Sequence, residues 1–332
     1  MEDLNNETDP SKYVLLCGPH RSGKTSILKV VFQKMSPHET LFFEPTQKVE
    51  ITSVKRNDLV TFKVFDFPGS HYFDDSNDSL LFNKTGAVVF VIDAQEEPYT
   101  QALESASKII EVAHRVNPKI SFDILIHKVD GDQFFSEDTK TEITKDIQMK
   151  LSEELSDKVD AHMTFHCTSI YDHTIFEAFS KVVQKLIPQL PYLEQMLDLL
   201  ITNSRMDKAF LFDVVSKVYI ASDPQPVDLQ SYELCSDMID VVIDVSCIYG
   251  YADERQDDNT KAKESKSSCV IHLNNGTLLY LREVDRCLAL VCILREENFD
   301  RQHLLDYNIQ EFKKALQKLF QVAKQPQLAA SS

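Results

Sequence analysis

The stretch Gly18-Pro-His-Arg-Ser-Gly-Lys24-Thr25 constrains this chain more than any other. It follows the apolar run Tyr13 to Cys17 and opens a segment with apolar residues at Ile27, Val30, Val31 and Met35, a setting of strand, turn and helix. In that setting the spacing G-x-x-x-x-G-K-S/T reads as the phosphate-binding loop of nucleoside triphosphatases. Gly18 and Gly23 let the backbone curl, so that the N–H groups of Arg21, Ser22, Gly23 and Lys24, and of Thr25 and Ser26 as the helix starts, point inward at a polyphosphate. Lys24 would reach the β and γ phosphates, and Thr25 would hold a Mg²⁺ ion. An ordinary tight turn would need none of these together.

The rest of the first half alternates strand and helix. Extended runs at Val49 to Val54 and Leu59 to Phe65 are joined by a polar Lys-Arg-Asn-Asp turn, and Gly86 to Asp93 is an unbroken apolar strand buried on both faces. Helical patterns at Gln101–Val116, Glu142–Leu155 and Ile175–Leu186 alternate with strands at Phe122–Ile126 and Met163–Cys167. Alternation of this kind predicts an α/β, doubly wound, largely parallel sheet over residues 12–189, after a disordered N-terminus at 1–11. The segments Pro37–Lys48 and Ser70–Asn83 read as loops.

Pro188 and Pro191 punctuate the chain, and beyond them the order changes. A helix at Tyr192–Thr202, a strand at Ala209–Ala221, a long helix at Leu229–Tyr249, further strands that include Cys287–Leu294, and a last helix at Leu304–Val322 predict an α+β second domain over 190–323. Asn275-Gly276 is a type I′ hairpin signal, Asp253–Ser268 reads as a mobile charged loop, and 324–332 as a flexible tail. This domain carries no catalytic constellation. Glu233, Asp237, Asp240 and Asp244 at helical spacing read as a solvated face, with a docking surface for a basic partner as the alternative. The apolar residues Cys235, Met238, Ile239, Val242 and Val245 of the same helix need cover from the sheet or from a partner.

Charge removes some functions. The formal net charge of -17, with no Lys/Arg block, disfavours nucleic acid and anionic lipid as partners. Seven scattered cysteines without metal-ligand spacing fit small buried hydrophobes in a reducing compartment, here the cytoplasm. The chain shows no signal peptide, no run near the length that spans a bilayer, and no myristoylation or prenylation signal. Direct membrane insertion is not expected; another protein would hold this one at a membrane.

Further stretches supply a guanine-nucleotide site. Thr46 would bind Mg²⁺ through its hydroxyl and sense the γ phosphate by its N–H, although Thr40 lies close enough to compete for that role. Asp66, ending a buried strand, would hold the metal's hydration shell, and Gly69 would offer a free N–H to the γ phosphate. In His127-Lys128-Val129-Asp130, Asp130 would accept from guanine N1–H and the exocyclic amine while the Lys128 stem covers the ring. His127 stands where such sites carry the Asn that braces the phosphate loop. Around Thr168-Ser169-Ile170 a backbone N–H would read guanine O6, selecting GTP and GDP over ATP.

These motifs are Ras-like. Joined to Asp-Phe-Pro-Gly, to the run Thr168-Ser-Ile-Tyr-Asp-His-Thr-Ile-Phe-Glu-Ala-Phe-Ser-Lys-Val-Val-Gln-Lys-Leu-Ile-Pro-Gln-Leu-Pro and to Ser231-Tyr-Glu-Leu-Cys-Ser-Asp-Met-Ile-Asp-Val-Val-Ile-Asp-Val-Ser-Cys-Ile-Tyr-Gly, the chain resembles Rag GTPases of the C/D type from about residue 12 to about 322. The resemblance implies a Ras-like GTPase domain followed by a roadblock-like, longin-related domain. That second domain would pair with an A/B-type Rag in an obligate heterodimer. It also implies a roadblock-protein scaffold on the lysosomal surface, an adaptor of the TOR kinase complex recruited in amino-acid sufficiency, a GTPase-activating protein, and the nucleus as a further compartment. In this family the C/D-type member signals with GDP, opposite to its partner.

One departure bears on chemistry. Ser70 occupies the place of the Gln that orients the attacking water, and His71 lies one residue late, so slow hydrolysis is expected, completed by a partner or bypassed by nucleotide exchange. His20 and Arg21 stand at loop positions that are small in Ras-like proteins. A regulatory GTPase is therefore the leading reading, and a pseudo-GTPase scaffold with little or no hydrolysis the second. A metabolic kinase is disfavoured, because the base reader specifies guanine and no acceptor site is apparent.

Overall fold

The computed structural model describes residues 12–55, 61–73, 78–155, 159, 161–248, 268–285 and 287–324. It divides into two compact units, with the boundary between Leu186 and Ile187. In the first unit, β1 (Lys12–Cys17), β2 (Glu50–Lys55), β3 (Thr61–Asp66), β4 (Thr85–Asp93), β5 (Ser121–His127) and β6 (Met163–Thr168) form one sheet in the order β2-β3-β1-β4-β5-β6. Only β2 runs antiparallel to its neighbour; the other pairs are parallel. The helices are α1 (Lys24–Gln33), α2 (Ser79–Lys84), α3 (Thr100–Val116), α4 (Glu137–Leu155) and α5 (Thr174–Leu186).

Strand order dictates where a ligand can bind. The chain steps from β1 to β3 on one side and to β4 on the other, so loops leaving the carboxyl ends of these strands diverge and open a crevice. β1 and β4 supply the apolar floor, with Val14, Leu15, Leu16, Val89 and Val91 all buried. Five loops converge above it, after β1, β3, β4, β5 and β6.

Within the first unit, local structure departs from the sequence reading in three places. The stretch expected as a loop to Asn83 holds α2, whose Leu81 and Phe82 are buried against the core. The segment from Pro37 contains a 3-10 turn to Phe42, in which the Thr40 hydroxyl donates to the Pro37 carbonyl at 2.7 Å. Helix α4 begins at Glu137 rather than Glu142: its first residues, Glu-Asp-Thr-Lys-Thr, have no apolar period to reveal them, yet two acids in the first turn favour a helix start.

In the second unit, α6 (Leu190–Ser204), β7 (Lys208–Asp213), β8 (Tyr219–Ser222), α7 (Leu229–Ile248), β9 (Ser268–His272), β10 (Thr277–Asp285), β11 (Leu288–Arg295), α8 (Glu296–Phe299) and α9 (Gln302–Lys324) build an antiparallel sheet ordered β8-β7-β11-β10-β9 with helices against it. The expected single strand from Ala209 to Ala221 is in fact this β7–β8 pair. Buried Asp213 ends the first strand by accepting from the Ser216 N–H at 3.1 Å and from the Ser216 hydroxyl, and Lys217 turns the chain at φ 56°. Val214, Val215 and Val218 make the turn look like strand in sequence. The Asn275-Gly276 turn is not type I′, since of that pair only Gly276 has positive φ (76°); the Gly276 N–H donates to the Leu273 carbonyl at 3.2 Å.

Within α7, Cys235, Met238 and Ile239 are buried inside the unit, whereas Val241 and Val245 are exposed. Asp240 on that helix pairs with Lys217. The expected mobile loop falls outside the described residues except for Ser268, which opens β9, and the Lys-Arg-Asn-Asp turn falls outside them except for Lys55.

Candidate functional site

A cavity of about 560 Å³ opens where the five loops and the segment before β2 meet, lined among others by Arg21, Gly23, Lys24, Thr25, Ser26, Thr46, Gly69, His127, Lys128, Asp130 and Ile170. The loop after β1 fits because two residues lack side chains. A Cβ on Gly18 (φ 141°) would lie 2.3 Å from the Val91 carbonyl oxygen, and one on Gly23 (φ 99°) 2.7 Å from His127 Cδ2. The Ser22 hydroxyl, buried, donates to the Pro19 carbonyl at 3.0 Å and closes the turn. Lys24 donates to the carbonyl oxygens of Gly18 and Pro19 at 2.8 and 2.6 Å, and burial lowers its pKa while Asp66 opposes that shift. Arg21 is exposed at φ 60°.

Three oxygens meet at the mouth of α1. Thr25 Oγ1 donates to Asp66 Oδ2 at 2.5 Å and lies 2.7 Å from Thr46 Oγ1. Thr46, and not Thr40, is therefore the threonine of this loop that reaches α1, because the Thr40 hydroxyl is bound to Pro37. Asp66 is fully buried, and its Oδ1 has no hydrogen-bond partner among the described residues. Burial raises its pKa above the usual carboxylate value, against the Thr25 hydrogen bond and the Lys24 charge. Two hydroxyls and a carboxylate with a free oxygen are the donor set that a hard divalent cation takes.

The raised Asp66 pKa has a testable sign. A carboxyl whose folded pKa is raised stabilises the fold below its unfolded value and loses that contribution as pH rises through the folded value. At pH 7 without cation or nucleotide, Asp66→Asn is expected to be more stable than the parent, while losing any stabilisation by Mg²⁺. A melting series with and without MgCl₂ measures both; an apo variant less stable than the parent contradicts the assignment.

Gly69 packs against the first loop so closely that a Cβ would sit 2.3 Å from the His20 nitrogen. Ser70 is exposed and does not line the cavity. His71 turns away: its ring lies 4.7 Å from Phe67 and 4.6 Å from Phe73, its Nε2 is buried without a partner among the described residues, and burial lowers its pKa.

On the opposite wall, Asp130 Oδ1 accepts from the buried Ser169 hydroxyl at 2.7 Å, and that hydroxyl oxygen in turn accepts from the Tyr171 N–H at 3.1 Å. Ile170 and Tyr171 continue the lining. His127 is buried with Nδ1 3.0 Å from Thr168 Oγ1; burial first, then the adjacent Lys128, pushes its pKa down to about 4. It is neutral at physiological pH. Lys128 Nζ donates to the Arg21 carbonyl at 2.7 Å and pairs with Asp93.

Asp93 and Gln95 were not singled out by any motif. For Asp93 the available signal was positional: an acid ending a doubly buried strand at the level of His127, with which it pairs across β4 and β5.

The Gtr1/RagA G protein conserved region matches residues 13–239. The human Ras-related GTP-binding protein C is 53% identical over 313 residues, 93% of this chain and 77% of that protein. GTP-binding protein gtr2 of Schizosaccharomyces pombe is 45% identical over 311 residues, 92% of this chain and 97% of that protein. GTP-binding protein gtr1 of the same yeast is 27% identical over 237 residues, 69% of this chain and 75% of that protein. With the phosphate loop, the Asp66–Gly69 loop and the Lys128–Asp130 loop around one cavity, the chain belongs to the Gtr/Rag G-protein family and stands with its C/D-type members.

Proposed function

We propose that this chain is a guanine-nucleotide switch, the C/D-type half of a Rag heterodimer that binds GTP and GDP with Mg²⁺ and hydrolyses GTP slowly. The observation that carries the nucleotide part is that Lys24, Thr25, Thr46 and Asp130 line one cavity, with buried Asp66 bonded to Thr25 and buried Ser169 to Asp130 behind them. The buried Oδ1 of Asp66, without a hydrogen-bond partner among the described residues, fits a bound cation, so Thr25, Thr46 and Asp66 are the residues assigned to hold Mg²⁺. When bound, that ion supplies positive charge to the phosphate oxygens during transfer.

The residues of the chain do the rest. Lys24 and the loop N–H groups, including those of Arg21, Ser22, Gly23 and Ser26, bind the phosphates. N–H groups of Thr46 and Gly69 meet the γ phosphate, so their loops change with its presence. Ser169 occupies one carboxylate oxygen of Asp130, which leaves the other for guanine N1–H and the exocyclic amine. The Ile170 N–H then reads O6, where adenine offers a donor instead.

Partners follow from the family. Relatives of both the gtr1 and the gtr2 type match this chain, which supports pairing with an A/B-type Rag, assigned here to the second unit as a roadblock-like dimerisation domain over 190–323. Among the described residues no helix is long and apolar enough to cross a membrane. Placement at the lysosomal surface is accordingly assigned to a roadblock-protein scaffold, with the TOR complex adaptor reading the GDP form in amino-acid signalling.

Ser70 sets the rate. Its side chain is too short to orient water and His71 is packed away between Phe67 and Phe73, so a GTPase-activating protein is needed to complete the site. Ser70→Gln is expected to raise single-turnover hydrolysis about tenfold; an unchanged rate removes Ser70 as the cause. The same residue favours a second reading, a pseudo-GTPase scaffold, for which binding without turnover even beside a partner's activator is the signature.

A further inference from the structure

Resting on the guanine-nucleotide reading, we infer that Gln95 and Asp93, at the end of β4, are positioning residues for base recognition, because together they clasp Lys128 and so aim Asp130 at the ring. Lys128 adopts φ 66°, a left-handed conformation that a residue with a Cβ seldom holds without support. Its support comes from both ends. The side-chain amide of Gln95 donates to the Lys128 carbonyl at 2.9 Å, and Asp93 Oδ2 pairs with the Lys128 ammonium. The clasp is itself closed, since the Gln95 N–H donates to Asp93 Oδ1 at 2.9 Å.

Gln95 also sets how the loop continues. A Cβ on Gly131 would lie 3.0 Å from Gln95 Nε2, so the amide packs closely against the glycine that follows Asp130. Asp130 is thereby held between a fixed Lys128 on one side and a packed Gly131 on the other. Because Lys128 Nζ also donates to the Arg21 carbonyl, the same clasp ties the base-reading loop to the phosphate loop. The Lys128 carbonyl can only accept, so the contact requires the NH₂ of Gln95; a carboxylate of the same shape would repel it.

The test compares GDP with inosine diphosphate, which differs by the 2-amino group that Asp130 would read and shares every phosphate contact. The full-length parent is expected to prefer GDP. In Gln95→Glu and Gln95→Ala alike, the GDP-to-IDP affinity ratio is expected to fall by about fivefold, the scale of one lost hydrogen bond. Asp93→Asn is expected to weaken both nucleotides, since it also loosens the grip on Arg21. A merely structural Gln95 would lower melting temperature and both affinities together and leave the ratio in place; that outcome, or a Gln95→Glu variant as selective as the parent, overturns the inference while the guanine reading stands. A parent that binds GDP and IDP equally overturns both.

Discussion

Replacing Lys24 with alanine is expected to abolish measurable binding of GTP and GDP and all thermal protection by either nucleotide. Lys24 is buried, its ammonium is held over the loop by two carbonyl oxygens, and among the described residues Asp66 is the carboxylate whose charge acts on it. A polyphosphate supplies the counter-charge that this arrangement calls for. Charge-assisted hydrogen bonds contribute about 1.5–3 kcal/mol each, so losing two reduces affinity by about a thousandfold. Nucleotide at about 1,000 times its dissociation constant stabilises the folded chain by about 4 kcal/mol, easily seen as a shift in melting. The variant also loses a desolvated cation, so its nucleotide-free melting temperature should not fall. Protection by GDP that persists in Lys24→Ala would remove the phosphate loop from the site.

The second large effect concerns acid. His127 is buried and neutral, with a pKa pushed down to about 4 from an ordinary 6.5. The unfolded chain therefore binds a proton at this residue that the folded chain refuses. The contribution of neutral His127 is fully present above pH 6.5 and is lost as pH falls from 6.5 through about 4, a change of about 3 kcal/mol. His127→Asn removes that titration and leaves every carboxylate in place. The difference in unfolding free energy between parent and variant should shrink by about 3 kcal/mol between pH 7 and pH 4. Chemical denaturation at both pH values measures it. A constant difference would mean that the imidazole is hydrated in the folded state, at odds with its packing on Gly23.

Legibility from sequence tracked how local each determinant was. Gly18, Gly23, Lys24 and Thr25 sit in one short motif, and the apolar runs of β1, β4 and β5 were plain, because burial on both faces leaves no polar alternation to misread. What stayed hidden was held by contacts far apart in sequence or by polar detail within apolar stretches. The Asp213–Ser216 turn broke an apparent strand without a glycine or proline to mark it. Gln95 has no motif, and its partner Lys128 lies 33 residues on. The choice of Thr46 over Thr40 likewise needed the fold, since only distance to Thr25 separates them.

The Thr25 hydroxyl has a consequence of its own. It carries one proton, and with Asp66 able only to accept, the proton order is fixed: Thr46 gives to Thr25, and Thr25 gives to Asp66. The loop before β2 and the strand end at β3 are thus wired in series through a single atom, as in a logical AND: each contact is oriented by the other. A disturbance entering at either loop therefore meets α1 at the same hydroxyl oxygen.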